Sequence, residues 1–251
     1  MAELAELQIC LFGSFQVCWE FVPISPSAWG DPRALKLLKL SLVRRPDGVP
    51  PDEARRLIGG GLTAEELQKL VEQVGRVIQP AARLYQSDTG HIWFEASADC
   101  WIDVDAFLGH SQAGLAAAAR GDMLQAIMSF QEADALYQGE LLEESHDEWL
   151  WPARHQLQEA YTATLEHLAE GHAVLSRYQD AVGFCYKALA HNPTHEATYQ
   201  RMMVYYYYLG DMAGAEQAYI TCQETLRDAG RHVSDETVRL WERISTGRQA
   251  I

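Results

Sequence analysis

The chain has 251 residues, of which 48% are hydrophobic and 22% charged, and its formal net charge is −15. That length suits one large domain or two ordinary ones, and no apolar run approaches the ~20 residues of a membrane span. The five cysteines are scattered and form no CxxC pair, which argues against a zinc site or a disulfide framework and for reduced thiols. The N-terminus is acidic where a signal peptide would be basic, so a cytoplasmic protein is predicted.

The charge is unevenly placed along the chain. Residues 1–102 hold 10 basic and 13 acidic side chains, a net of −3, and residues 103–251 hold 10 and 22, a net of −12. Nucleic-acid binders usually present a basic face, because phosphate neutralisation supplies most of their affinity. Such a face is suggested only in residues 33–56, where three acidic groups accompany seven basic ones: Arg33, Lys36, Lys39, Arg44, Arg45, Arg55 and Arg56.

The first 61 residues predict strands followed by two helices. Residues 7–22 are rich in β-branched and aromatic residues around Gly13-Ser14, which indicates two short strands and a turn. A proline-rich loop follows, and residues 33–44 then place leucines at helical spacing. Pro50 and Pro51 suit the opening of a second, short helix that ends at the glycines 59–61.

A third helix and a hairpin complete the N-terminal part. Thr63 is a predicted N-cap, with Glu66 completing a capping box. The helix is expected to bury one face, made of Leu67, Leu70, Val71, Val74, Val77 and Ile78. "RLYQSDTGHIWFE" then reads as two strands around a turn at Asp88-Thr89-Gly90. Three helices followed by a hairpin form a winged helix-turn-helix, in which the third helix can enter a major groove.

Beyond Asp103 the pattern becomes wholly helical and repeats. "RGDMLQAIMSFQEA" at 120–133 recurs as "LGDMAGAEQAYITC" at 209–222 and more loosely at 176–189. Ala181 and Ala215 are 34 residues apart, which is the period of the tetratricopeptide helix pair. Ala126 takes the same place 55 residues before Ala181, so the first unit carries an insertion, predicted to contain one long helix. The predicted fold is therefore mainly α, a winged helix with small β-sheets followed by tetratricopeptide-like repeats.

This order resembles that of the SARP-type transcriptional regulators, an OmpR-like winged helix followed by a bacterial transcriptional activator domain. "LFGSFQV", "IDVDAF" at 102–107, "ALYQGELL" at 135–142, "EWLWPAR" and the segment 188–219 are similar to family signatures in the family's order. The resemblance covers nearly the whole chain and implies domains at 1–100 and 101–251. The third helix departs from the pattern: where the family has two DNA-facing arginines and a serine, this chain has Gln73, Gly75 and Glu72.

The candidate DNA contacts are polar residues on the three helices and the wing. Arginine forks match guanine edges and phosphates, and glutamine can match adenine, whereas Glu72 would repel phosphate. A solvated face is the competing interpretation of the whole set. The candidates are Arg44, Arg45, Arg55, Arg56, Lys69, Gln73, Arg76, Arg83 and His91. In the helical part, Tyr205, Tyr206, Tyr207 and Tyr208 cannot all point inward and are candidates for contact with a partner.

Other residue patterns that could suggest metal binding or catalysis are better interpreted as structural. His191 and His195 have ligand spacing, but Pro193 lies between them at a predicted turn, so no metal is expected. The acidic run from Glu140 to Glu148 lacks calcium-loop spacing and is expected to be a solvated surface. No catalytic constellation is found, so neither an enzyme nor a cofactor is predicted.

Two functions remain open. The first is a transcriptional regulator that binds DNA through its winged helix, while the activator domain forms a dimer or contacts RNA polymerase, as the resemblance implies. The second is a protein-interaction module whose winged helix has lost DNA reading and whose repeats bind a protein partner. The chain is also consistent with being part of a longer protein.

Overall fold

The computed structural model describes residues 5–247, so part of the acidic N-terminus and the last four residues lie outside it. Two compact units are present. The winged-helix unit contains the residues up to 106 together with 139–153, and the helical unit contains 107–138 and the residues from 154 onward. The proposed domain boundary at residue 100 is a different division and stays a prediction.

A four-stranded sheet opens the winged-helix unit. Its strand order is β3-β2-β1-β6, antiparallel except for the β1–β6 pair, which is parallel. The strands are β1 (Leu7–Cys10), β2 (Gln16–Trp19), β3 (Val22–Pro23) and β6 (Cys100–Ile102). The hairpin of β1 and β2 confirms the two predicted strands. Strands β3 and β6 were not predicted, and β6 pairs with a strand about 90 residues away, which no local pattern reveals.

Three helices and a second hairpin follow in the predicted order. They are α1 (Pro32–Val43), α2 (Pro51–Ile58), α3 (Ala64–Ile78), β4 (Ala82–Gln86) and β5 (Ile92–Ala96). Asp31 caps α1 through its side chain, and Thr63 and Glu66 form the predicted capping box of α3. In the proline-rich loop, Pro26–Trp29 forms a short 3-10 helix with Trp29 buried.

A buried carboxylate joins β1 to the start of the fourth helix. Asp103 Oδ2 accepts hydrogen bonds from the backbone N–H groups of Leu11 at 2.7 Å and Phe12 at 2.8 Å. Its Oδ1 accepts from Val104 N–H at 2.7 Å. Burial raises the pKa of Asp103 to about 6 even though these three bonds favour the ionised form. Asp103, the first aspartate of the signature "IDVDAF", thus satisfies backbone donors just beyond the end of β1.

The remaining described helices follow one another with no strand between them, as the sequence beyond Asp103 predicts. They are α4 (Asp103–Ala119), α5 (Met123–Leu136), α6 (Trp151–Val174), α7 (Tyr178–His191), α8 (Glu196–Leu209), α9 (Met212–Asp228) and α10 (Asp235–Ser245). Helix α6 is the predicted long helix of the insertion. The repeat alanines Ala126, Ala181 and Ala215 are fully buried, as expected where a small residue lets two helices of a repeat approach.

Glycines allow close helix contacts in the helical unit. A methyl group on Gly114 of α4 would lie 2.6 Å from the Phe130 ring of α5. A methyl group on Gly171 of α6 would lie 2.8 Å from Ile127 of α5. Because packed interiors leave no room for an added methyl group, both glycines fix how near α5 lies to its neighbours.

Candidate nucleic-acid interface

Helix α3 is anchored by its apolar face. Leu67, Leu70, Val71, Val74 and Ile78 are buried, as predicted. The prediction for Val77 was wrong in part, because it is only half-buried, and its carbonyl accepts a 2.9 Å hydrogen bond from the indole of Trp19. Gly75 takes a buried position instead, near the backbone of strand β4.

The solvent-facing side of α3 has no net charge. Glu65, Lys69, Glu72 and Arg76 are exposed and follow one another at spacings of four, three and four residues. Arg76 is 78% exposed and lies 3.9 Å from Glu72, a long and solvated contact. A phosphate backbone meeting this side would therefore find two carboxylates as well as two cations.

Gln73 is engaged within the unit. Its amide donates a 2.5 Å hydrogen bond to the carbonyl of Trp29, at the end of the 3-10 helix. The proline-rich loop therefore covers the position that, in the family pattern, carries a DNA-facing arginine. The prediction that Gln73 faces DNA is corrected on this ground, since its amide is occupied and its side chain is half-buried.

The arginines of the turn between α1 and α2 form ion pairs. Arg44 donates through Nε and Nη2 to Glu53 Oε1, at 3.1 and 2.8 Å. Arg45 holds both carboxylate oxygens of Asp105 at 2.8 and 3.0 Å and lies over the Phe94 ring. Such paired and half-buried guanidinium groups are poorly placed for DNA contact, contrary to what their sequence positions suggested.

Two lysines of α1 pair with the acidic segment, which we define as residues 139–153. Lys36 Nζ lies 2.9 Å from Asp147, and Lys39 Nζ lies 2.5 Å from Glu144. Main-chain hydrogen bonds hold the same segment, including Leu142 N–H to the carbonyl of Leu11 at 2.7 Å. The expectation of a merely solvated acidic run was wrong for these two carboxylates, which the chain fold brings to α1.

The basic cluster of residues 33–56 is largely neutralised. Arg33 pairs with Asp31 and Arg55 with Asp52, in addition to the four pairs above, so six of its seven cations have carboxylate partners. Within residues 5–247, no ion pair involves Arg56, Lys69 or Arg83. Arg56 and Arg83 are exposed, on α2 and β4, and His91 is half-buried with its ring 3.2 Å from the Thr89 hydroxyl.

The two compact units differ in net charge. The winged-helix unit holds 10 basic residues and 20 acidic ones, because Asp103, Asp105 and the five acids of the acidic segment join it, which gives −10. The helical unit holds 10 basic and 15 acidic residues, which gives −5, and the two sums return the total of −15. Of the net charge of −12 that residues 103–251 carry, −7 therefore belongs to the winged-helix unit.

The four consecutive tyrosines of α8 separate into core and surface. Tyr205 is 7% exposed, so its assignment to a partner contact was wrong. The Tyr206 hydroxyl hydrogen-bonds that of Tyr186 at 2.9 Å, and the Tyr208 ring stacks on Tyr178 at a centroid distance of 4.9 Å. Tyr207 is half-buried and Tyr208 is 43% exposed, so these two remain available at the surface.

The two histidines with ligand spacing have different surroundings. His195 contacts Glu166 at 3.0 Å, and Glu166 accepts a hydrogen bond from the Thr198 hydroxyl at 2.6 Å. Arg201 Nη1 lies 2.8 Å from the same carboxylate as an ion-pair partner. Hydrogen bonds and charges from these donors hold the pKa of Glu166 at about 2 despite its burial, and Glu166 raises the pKa of His195. Burial lowers the pKa of His191, which packs against Tyr161.

Neither a metal cluster nor a membrane span is found in the part of the chain that the structure describes. No group of three or more histidine, cysteine or acidic side chains there could hold a metal ion. None of its helices is long and apolar enough to cross a membrane.

Family comparison decides the class of the protein. Residues 102–245 match the family model for the bacterial transcriptional activator domain, which is more than half of the chain. The chain belongs to the bacterial transcriptional activator domain family. Together with the winged helix that precedes this domain, the layout is that of a SARP-type transcriptional regulator, as the sequence signatures predicted. No curated protein matches the chain in sequence.

A solved structure extends the likeness over both units. The chain is similar to Mycobacterium tuberculosis EmbR, solved in complex with a low-affinity phosphopeptide, with a TM-score of 0.83 over 97% of this chain. Sequence identity is 19%, so this likeness concerns the fold alone. The chain spans 66% of the length of the EmbR chain.

Proposed function

We propose that this regulator contacts DNA through the exposed side of α3 and the adjoining hairpin. The supporting observation is that α3 leaves Lys69 and Arg76 in solvent while Arg83, on the following strand, has no ion-pair partner among residues 5–247. Lysine and arginine side chains of this kind bind phosphate oxygens without needing a particular base. Arg56, exposed on α2, is a fourth contact of the same type.

This binding is expected to be weak and to discriminate little between sequences. Glu65 and Glu72 accompany the cations on α3, and the Gln73 amide is occupied by Trp29. Direct reading of bases needs forked donors aimed at the groove, and the exposed side of α3 offers one arginine for that task. Most of the affinity then comes from phosphates, which makes it strongly dependent on salt.

The helical unit would act on a protein. In this proposal it forms a dimer or contacts RNA polymerase, and Tyr207 and Tyr208 lie on the surface available for that contact. Repeats of this kind leave an extended surface suited to protein partners. A cytoplasmic location is part of the same proposal.

The direct test is binding of the purified chain to a pool of short duplexes at low and at physiological salt. We expect binding at low salt that falls steeply as salt rises, and Arg76→Ala should weaken it while reducing the salt slope by about one unit. Arg239→Ala is a matched control, because Arg239 is similarly exposed on α10 and lies 3.8 Å from a carboxylate four residues earlier. Glu72→Gln should strengthen binding by removing a repulsive charge.

A second function is favoured by the neutralised basic cluster. Six ion pairs and a unit charge of −10 are what we would expect of a winged helix that no longer meets DNA. The chain would then regulate through its protein contacts only. No binding to any duplex at low salt, together with binding of purified RNA polymerase that Tyr208→Ser weakens, would support this second function over the first.

A further inference from the structure

An open cleft lies over the last turn of α6 and along one side of α7, within the helical unit. Its volume is about 450 Å³, which is in the size range of small-molecule sites. Aromatic, charged and amide side chains line it together, a mixture that is typical of such sites. The lining residues are His172, Gln179, Asp180, Gly183, Phe184 and Lys187.

His172 is the buried polar group of this cleft. Its side chain is 8% exposed, and neither ring nitrogen has a hydrogen-bond partner among the residues that the structure describes. Buried polar atoms are nearly always hydrogen-bonded, because leaving one without a partner costs stability. Asp180 Oδ2 lies 3.4 Å from Nδ1, so this carboxylate favours a proton on Nδ1 and leaves Nε2 as an acceptor. The imidazole can therefore accept an N–H group of a ligand.

The charge that remains available in the cleft is a carboxylate. The Asp180 side chain is 58% exposed in the first turn of α7, and within residues 5–247 no lysine or arginine pairs with it. Lys187, by contrast, pairs with Asp134 at 2.5 Å. A carboxylate has two oxygens side by side and accepts from two parallel N–H donors at once, as it does from a guanidinium group. The cleft therefore favours a ligand that donates hydrogen bonds over an anion.

The side of the cleft formed by α7 suits a flat ring. Gly183 is exposed in the middle of this helix, and a methyl group added there would meet nothing within 4 Å. Packing within the chain does not require this glycine, although glycine is a poor helix former. Phe184 is half-buried beside it, with its ring 5.2 Å from the His172 ring. A planar ligand can thus lie against the helix surface at Gly183.

We propose that this cleft binds a planar nitrogen heterocycle with two parallel N–H donors, the edge that guanine and pterin rings share. The ring N–H and one proton of the adjoining amino group donate to the two oxygens of Asp180. The other amino proton donates to Nε2 of His172, and the face of the ring packs beside Gly183 and Phe184. The proposal concerns the helical unit alone and does not depend on the winged helix contacting DNA.

Ligand-observed NMR with the full chain and guanosine measures this binding. Inosine is the matched ligand, because it keeps the ring N–H but lacks the amino group. It should bind about tenfold more weakly, since one carboxylate oxygen is left without its donor. Pterin presents the same edge on another ring system, so the tighter of guanosine and pterin identifies the source of the ligand. No saturable binding of either at about 1 mM, or equal binding of guanosine and inosine, overturns the proposal.

Asp180→Asn removes the charge that recognises the two donors. Guanosine affinity should fall about tenfold, and the preference for guanosine over inosine should shrink. Asp235→Asn is the matched control, because Asp235 is an exposed aspartate in the first turn of α10, and it should leave guanosine binding unchanged. If both variants bind guanosine as the wild type does, Asp180 is not the recognition group and the proposal fails.

A larger side chain at Gly183 tests where the ligand lies. Gly183→Leu should fill the cleft and remove guanosine binding. Gly109→Leu on α4 is the control, since an added carbon there also meets nothing within 4 Å and Gly109 is far from α7 in sequence. Guanosine affinity that is the same in Gly183→Leu and the wild type would place the ligand elsewhere and contradict the proposal.

His172→Leu separates ligand binding from stability. The change removes a buried polar group that has no hydrogen-bond partner, so the thermal midpoint should stay the same or rise while guanosine affinity falls. If His172 served only to stabilise the helical unit, the midpoint would fall and the folded variant would bind guanosine as the wild type does. That result would overturn the role given to the imidazole and the proposal with it.

Discussion

The two compact units differ in how clearly the sequence reveals their contacts. In the winged-helix unit, charged side chains make the long-range contacts: Asp103 with the end of β1, Arg45 with Asp105, and Lys39 with Glu144. In the helical unit, small residues let helices approach, as Gly114 does beneath the Phe130 ring. Ion pairs join residues far apart in the chain and leave no periodic trace, whereas small residues at helix contacts recur with the repeat. The sequence therefore predicts the contacts of the helical unit more fully than those of the winged-helix unit.

The largest effect is expected from a substitution that removes the polar junction between Asp103 and the end of β1. Asp103→Ala leaves the buried N–H groups of Leu11 and Phe12 without acceptors, and each such loss costs ~1–3 kcal/mol, so the free energy of unfolding should fall by about 3 kcal/mol. Denaturant unfolding followed by far-ultraviolet circular dichroism would measure it. Asp88→Ala at the exposed hairpin turn is the control and should change little. An equal, small effect of both changes would mean that Asp103 does not organise the junction.

In the helical unit, the corresponding test adds a methyl group where two helices pack closely. Gly114→Ala puts a carbon 2.6 Å from the Phe130 ring, and overpacking of this kind costs ~1–3 kcal/mol of unfolding free energy. Gly109→Ala on the same helix is the control, since nothing lies within 4 Å of its added carbon. That control should stabilise the protein by up to about 1 kcal/mol. Destabilisation by both, or by neither, would remove the contrast between the two positions on α4.

The two units are also expected to respond to pH in opposite directions. The folded pKa of Asp103 is raised from 3.8 to about 6, so its contribution to stability is full below pH 3.8 and is lost as pH rises through 6. The pKa of Glu166 is lowered from 4.5 to about 2, so its contribution is present above pH 4.5 and is lost as pH falls toward 2. Thermal midpoints of Asp103→Asn and Glu166→Gln, each compared with wild type between pH 2.5 and 7, would show these slopes removed separately. The same pH slope in a variant and in the wild type would show that the substituted group is not its source.

The smallest expected effect concerns the glycine within α3. An alanine carbon at Gly75 would meet its nearest neighbours at 3.9 Å, an ordinary contact, so packing does not require glycine there. Gly75→Ala should raise the free energy of unfolding by about 0.5–1 kcal/mol, because alanine restricts the unfolded chain and favours helix. Thermal and denaturant unfolding would both report the gain. A loss of stability would mean that the approach of α3 to β4 depends on the missing side chain.

Local patterns were sufficient for much of the fold. The capping box of Thr63 and Glu66, the turn before Ile92 and the long helix α6 all follow from residues close in sequence, and each was predicted from them. Spacing at 34 residues found the buried alanines Ala181 and Ala215 without any tertiary information. These features are local or periodic, so their physical causes lie within a short stretch of chain or repeat along it.

Tertiary structure decided the candidate site. The sequence alone identified a basic cluster and an acidic run as separate segments, and it could not indicate that Lys36 meets Asp147 or Lys39 meets Glu144, more than 100 residues away. It also could not show that the loop ending in Trp29 occupies the amide of Gln73. Electrostatic attraction depends on distance in space, and the chain fold sets that distance. The sequence by itself thus determined a winged helix followed by an activator domain, while the fold decided which of its charges remain free to meet a partner.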